Sequence, residues 1–231
     1  EVPDTTDNNT CAIMTWTNSG DTWTISPDAA GTTWSIQGDC SHPALTLSSG
    51  DFEFHFTPGK VARENAGTDM WHACAEATDD DGSNWYYNAD ENLSINWYGE
   101  LTGLSGTASF STVSIGCDNV TSGDISATYI SNGDFYEQVK ATTSWTGPAT
   151  LTLDTTGAPA DAEFSLLADD DTDTTGAVQV TGAYQSIDDT GAYTSEDGHD
   201  VTQRLWLSLG DTGIPQGTYT GYVWYQILIH S

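Results

Sequence analysis

The closing stretch of the chain, Gly213-Ile-Pro-Gln-Gly-Thr-Tyr-Thr-Gly-Tyr-Val-Trp-Tyr-Gln-Ile-Leu-Ile-His-Ser231, constrains the fold more than any other. A Pro-Gln-Gly turn leads into a run of β-branched and aromatic residues, the composition of a strand. Side chains alternate across a strand, so Tyr219, Val223, Tyr225, Ile227 and Ile229 share one face. Tyr222, Trp224 and Leu228 share the other. A strand apolar on both faces calls for cover on both sides. The expectation is a central strand of a sandwich, or one that reaches into a neighbour. Such a chain is built of β-sheet, and functional residues are expected on its loops.

The remaining segments have the same character. Residues 11–17, 22–25 and 33–36 read as short strands, separated by Asn-Ser-Gly-Asp, Ser-Pro-Asp and Gln-Gly-Asp turns. Trp16, Trp23 and Trp34 fall one per strand, and alternation with Thr and Ser favours a core ladder over an exposed sugar-binding platform. Asp51-Phe-Glu-Phe-His-Phe56 alternates as a half-buried strand does. Residues 70–77 and 93–98 form two more strands around the acidic turn Thr78-Asp-Asp-Asp-Gly82 and close a first unit over residues 11–101. A second unit, residues 102–231, holds strands at 109–116, 125–133, 136–145, 149–153, 177–180 and 203–209 before the terminal one. No window carries a 3.6-residue period. The fold expected is all-β: two antiparallel β-sandwich units of immunoglobulin-like or jelly-roll type, preceded by a polar tail at residues 1–10.

Charge narrows the function classes. Acidic residues number 34 against four Lys and Arg, a net charge of −30. Phosphate backbones and anionic lipids repel such a surface, which excludes nucleic-acid binding and membrane-surface binding. Nine Trp and ten Tyr argue against disorder. High salt or abundant divalent cation outside the cell would screen this charge. No apolar run is long enough to span a membrane. The chain opens on Glu1 rather than Met, as a processed mature protein would. Asn8, Asn92 and Asn119 begin Asn-x-Ser/Thr triplets and are candidate glycosylation sites of an exported chain. Four cysteines, Cys11, Cys40, Cys74 and Cys117, lack metal or haem spacing and point to two disulfides. Cys11 with Cys40 and Cys74 with Cys117 is one of three connectivities. A secreted, cell-surface protein fits these signs.

The concentrated chemistry lies in two acidic loops. Asp79, Asp80 and Asp81 flank one turn; Asp169, Asp170, Asp171 and Asp173 form the other. Calcium takes six to eight oxygens, and carboxylates spaced along a loop can converge on it. Solvated turn carboxylates are the competing reading. Neither loop has EF-hand spacing. With this many acids, nominating a hydrolytic carboxylate pair discriminates nothing. No Gly-x-Ser-x-Gly elbow occurs, and His42, His55, His72, His199 and His230 are scattered. The sequence carries no catalytic signature, and no enzyme is expected.

The strand, acidic turn and closing strand over residues 70–98 resemble the end of immunoglobulin-like modules of secreted prokaryotic surface proteins. In the second unit the order is a Gly-terminated strand (109–116), an Asn132-Gly133 turn and a long strand ending near Trp145. That order is similar to jelly-roll fibre subunits of the TasA and archaeal bundling-pilus group. The resemblance implies a structural subunit of an extracellular filament or surface layer, a homopolymer assembled by strand complementation. The polar start would fray unless its own domain or a neighbour held it, so Val2, Asp4, Thr6 and Asn8 are the candidate donor segment. Ca²⁺ bridging between subunits would relieve self-repulsion. The alternative is a secreted glycan-binding module or adhesin that stacks sugars on Trp85, Tyr86, Tyr87 or Trp145. Exposure discriminates between them: coplanar, solvent-facing rings favour the binder, rings in a core or between subunits the filament.

Overall fold

The computed structural model describes residues 12–26, 33–46, 50–64, 71–78, 81–82 and 84–230; at 84, 85, 87–92 and 188–190 only the backbone is considered. The chain is all-β. No helix occurs among the described residues, so none is long and apolar enough to cross a membrane. Two compact units result, Glu1–Tyr98 and Gly99–Ser231.

The first unit is three antiparallel ribbons: β1 (Ile13–Thr17) with β2 (Thr22–Ser26), β3 (Ser35–Ile36) with β4 (Phe56–Thr57), and β5 (Trp71–Thr78) with β6 (Asn84–Leu93). Trp16 and Trp23 are directly opposed across β1–β2, their rings 6.3 Å apart. Trp34 is buried with Ile25 and Ala62, whereas Trp16 and Trp23 are half-buried. The Phe-x-Phe-x-Phe segment expected as one strand pairs only at Glu53 and from Phe56 onward. Its alternation still holds. Phe52 meets Trp16 at 5.1 Å, Phe54 meets Trp23 at 4.9 Å and Phe56 meets Trp34 at 6.1 Å. One face of an extended segment thus runs along successive indoles. The partner of β5 is β6 rather than the expected 93–98 segment, most of which is irregular.

The second unit contains β7 (Gly99–Thr102), β8 (Val120–Thr121), β9 (Ile125–Ser131), β10 (Phe135–Ala141), β11 (Ser144–Thr146), β12 (Thr150–Leu153), β13 (Glu163–Asp169), β14 (Val178–Gln179), β15 (Gln185–Gly191), β16 (His199–Leu209) and β17 (Val223–Ile229). One sheet runs β11-β12-β13-β16-β9-β7, with β14 and β8 attached to β13 and β16. Its pairs are antiparallel except β12–β13. The other sheet is β15-β10-β17, antiparallel throughout. Residues 109–116, expected as a strand, are irregular. Ser111 and Gly116 sit in the left-handed region (φ 53° and 67°), which an extended strand cannot accommodate.

The core cluster draws on both sheets: Leu151, Leu153, Phe164, Leu166, Leu205 and Leu207 from the larger, Val139 and Ala141 from the smaller. Trp145 packs into it, stacked 4.0 Å from Phe164. Gly221 lies so close to that indole that any Cβ there would collide with it.

The terminal strand corrects the first of the two positions expected from its sequence, that of a central strand. Its alternation is as read, with Val223, Tyr225 and Ile227 turned to the core. It is nevertheless an edge strand, paired among the described residues with β10 alone, and Tyr222, Trp224 and Leu228 are 71%, 41% and 43% exposed. The central strand of that sheet is β10.

Phe164 is wholly buried. Truncating such a ring removes transfer free energy and leaves a cavity, so Phe164→Ala is expected to lose about 3–5 kcal/mol of stability in urea titration followed by circular dichroism.

Candidate functional site

The register of β10 builds two surfaces at once. Phe135, Glu137, Val139 and Ala141 point inward and are buried; Tyr136, Gln138 and Lys140 point outward. On the outer side the neighbouring strands supply matching groups. Leu228, Gln226 and Trp224 stand opposite Tyr136, Gln138 and Lys140. Gln226 Nε2 donates to Gln138 Oε1 at 2.8 Å, and Gln138 Nε2 donates to Ser186 Oγ at 3.4 Å. The ammonium of Lys140 lies 4.3 Å from the centre of the Tyr184 ring and 5.3 Å from that of Trp224. Tyr222 continues the aromatic row, 6.0 Å from Trp224 with the planes 34° apart, and His230 packs on Tyr136 at 4.4 Å. The result is a ridge of rings interrupted by amides and one cation. Rings supply apolar faces, and the amides supply donors and acceptors in fixed positions.

The inner side is different at its Phe135–Glu137 end. Glu137 is 2% exposed, and wholly buried Gln203 donates from Nε2 to its Oε2 at 2.6 Å. Tyr129 and Tyr225 complete this polar pocket in the core; burial first, and for Tyr129 the Glu137 charge next, drives both phenol pKa values far up. Both hydroxyls stay protonated. The Tyr129 hydroxyl faces Glu137 and Gln203 without closing a well-formed hydrogen bond, and Gln203 Oε1 and Tyr225 Oη also lack partners. Glu137 lines a cleft of about 490 Å³ with Phe135, Asp170, Tyr193, Thr194 and His199.

The sequence-derived candidates are distributed differently. In the loop after β13, each of three carboxylates accepts a nearby backbone N–H: Asp169 from Asp170 (2.8 Å), Asp171 from Asp173 (2.9 Å) and Asp173 from Thr175 (2.7 Å). Arg204 pins the loop, donating to the Asp171 carbonyl at 2.6 Å while pairing with Asp124 at 2.8 Å. Asp169 is buried and Asp170 lines the cleft. Asp81 is exposed; Asp79 and Asp80 lie outside the described residues, as do Val2, Asp4, Thr6, Asn8 and Cys11. No three His, Cys, Asp or Glu among the described residues are grouped to hold a metal.

Among the described residues, Cys40 and Cys117 carry free thiols, and Cys11 lies outside them. Cys40 Sγ instead accepts from the His55 N–H at 3.2 Å and donates to its carbonyl at 3.3 Å. Cys117 is half-buried against the core, and that burial raises its thiol pKa. Cys74 is exposed on β5. Asn119 is exposed, in a left-handed turn (φ 52°); the Asn92 side chain lies outside the described ones. Of the rings nominated for sugar stacking, Tyr86 is 67% exposed, Trp145 belongs to the core, and the Trp85 and Tyr87 side chains are not among those described.

In the first unit, Trp16, Trp23, His42, Phe52 and Phe54 cluster around Asp21. Trp16 Nε1 donates to the Asp21 carboxylate at 2.9 Å and His42 Nε2 lies 2.9 Å from it. The Trp16 hydrogen bond, aided by His42, holds the Asp21 pKa below the usual carboxylate value. The rings pack on one another, and Phe52, Phe54 and Phe56 remain partly exposed along one row.

Comparison with protein-family models, curated proteins and solved structures yields no match.

Burial is the main cause raising the Asp169 pKa, with the Asp170 and Asp171 charges adding to it. A raised folded-state pKa means that the stabilisation is complete below the ordinary value of 3.8 and lost as pH rises through the folded value. Asp169→Asn removes the titration and keeps an acceptor for the Asp170 N–H. Its Tm should gain on the parent chain by a few degrees between pH 3 and pH 7, measured by calorimetry in chelator.

Proposed function

We propose that the chain is an extracellular surface module that binds a neutral glycan on the outer face of the β15-β10-β17 sheet. The observation that carries this reading is the exposed row of Trp224 and Tyr222, set beside the Gln226–Gln138–Ser186 amide chain. Sugar rings present apolar C–H faces and equatorial hydroxyls, which aromatic faces and side-chain amides match respectively. The net charge of −30 disfavours polyanionic ligands, which selects a neutral polymer. The solvent-facing Tyr222 and Trp224 rings support the binder.

The fold in which this face is set is read as a Greek-key sandwich. Where the chain crosses from β16 to β17, the Tyr219 hydroxyl donates back to the Pro215 carbonyl at 2.8 Å. A tyrosine bonded a few residues upstream at a sheet-to-sheet corner is a hallmark of immunoglobulin-like sandwiches.

Trp224→Ala should weaken binding at least tenfold in calorimetric titration with soluble fragments of whichever polysaccharide retains the chain, from a panel including cellulose, chitin and mannan. Stability should stay within about 1 kcal/mol, since the ring is surface-exposed. Retention of every ligand by the Ala variant would overturn the reading.

A second reading, the structural subunit of a filament or surface layer, is supported by the edge strands β15 and β17, each paired on one side only among the described residues. Edges of this kind accept a strand from another chain. In this reading residues 1–10 are the donor and Ca²⁺ at the acidic loops bridges subunits. Deleting residues 1–10 should then leave folded monomers in sedimentation and electron microscopy, and chelator should shorten any filaments; filaments of unchanged length in both conditions would exclude it.

A further inference from the structure

We infer that the open edge of β17 is a self-association surface, where a second copy of this chain adds its own β17 antiparallel about a two-fold axis. In a chain of net charge −30, no Asp, Glu, Lys or Arg falls between Gly213 and Ser231. Two such copies repel each other wherever their carboxylates meet, so an uncharged strand is the place where they approach at least cost. Sheets protect their edges with charge, proline, shortness or irregular pairing. The other edges of the two sheets in this unit have such devices. β11 is three residues long, and β7 is four residues long with Glu100 among them. β15 has Asp188 and Asp189 in its sequence and pairs with β10 through register shifts. β17 has none of these: it runs for seven residues without proline or charge, in unbroken register with β10.

The ladder fixes which backbone groups are open. Thr142 N donates to the Tyr222 carbonyl, and His230 N donates to the Asp134 carbonyl. Hydrogen-bonded pairs alternate along an antiparallel ladder, so Tyr222, Trp224, Gln226, Leu228 and His230 turn their backbone groups to β10. Those of Val223, Tyr225, Ile227 and Ile229 turn away from it. β7 passes near β17 but pairs with β9, and takes none of these groups among the described residues.

A second β17 that overlaps all seven residues puts the two-fold axis at Gln226. Val223 then exchanges hydrogen bonds with the partner's Ile229, and Tyr225 with the partner's Ile227. On the outer face Trp224 stands opposite the partner's Leu228, side chains that are 41% and 43% exposed in the single chain. Aromatic and aliphatic side chains opposed in this way stabilise strand pairing. The two sheets become one, and the pairing closes on itself rather than growing into a filament. The outer face still meets solvent, so the inference stands independently of the glycan reading.

Sedimentation velocity of the whole chain should show a monomer–dimer equilibrium. It should tighten as NaCl rises from about 0.05 to about 0.5 M, because screening weakens the repulsion between two acidic bodies. Ile229→Pro removes a donor aimed at the open edge and no bond to β10, and should weaken association about tenfold or more with circular dichroism unchanged. Gln226→Glu and Gln226→Lys each oppose like charges on the axis and should each be monomeric where the parent chain dimerises; mixing the two should restore a heterodimer. That rescue is the decisive measurement if Ile229→Pro does not fold. Deleting residues 1–10 should leave the dimer intact. A chain that stays monomeric at ~0.1 mM in high salt would overturn the inference. So would open-ended polymers, a dimer that persists in folded Ile229→Pro, a mixture of the Gln226 variants that stays monomeric, or loss of the dimer with residues 1–10.

Discussion

The second unit depends on the two-residue alternation of β10. This strand is central in its sheet, so every other side chain enters the core and the rest meet solvent. Because the period is two, a slip of one residue would bury Tyr136, Gln138 and Lys140 and expose Phe135, Glu137 and Val139. Two independent ladders hold the register. β17 matches β10 residue for residue from Ala141–Val223 to Phe135–Ile229, and β15 matches it with irregularities near Glu137. The irregular stretch coincides with the part of β10 that lines the cleft.

Charge is organised around this arrangement. The second unit contains only two Lys or Arg residues, and both brace structure. Lys140 is held by two aromatic rings, and Arg204 ties the acidic loop after β13 to Asp124. Neither neutralises the core carboxylate directly opposite the large sheet.

Much of the architecture was legible in the sequence. Alternating Thr, Ser and aromatic residues with Gly-rich turns specify an all-β chain, and the faces of 223–229 were readable from period two. Cover was not readable, because whether a two-faced apolar strand lies at the centre or the edge depends on which segments pair with it. The indole of Trp145 illustrates the same limit: ring and position were plain, but its stacking on Phe164 is a long-range contact. Likewise the expected 109–116 strand fails on left-handed backbone at Ser111, which carries no Gly signal. Among the site residues, Glu137 had a signal in Phe135-x-Glu137-x-Val139-x-Ala141, a carboxylate on the apolar face of a strand. The abundance of other acids concealed it. Gln203 had none, since an amide within a strand reads as solvent-facing until the opposite sheet is placed.

The unpartnered atoms around Glu137 bear on why this polar group persists in the core. Aliphatic side chains of similar volume would fill such a place without orphaned acceptors, as Val139, Leu151 and Leu166 do elsewhere in the core. Burying a carboxylate beside an amide whose oxygen is unpaired is unfavourable for the isolated chain. Such local conflict between sequence and stability concentrates where a fold performs a task. Among the described residues, buried polar atoms without partners occur at Tyr129, Gln203 and Tyr225 around Glu137, and also at the indole N–H groups of Trp145, within the apolar core, and Trp97.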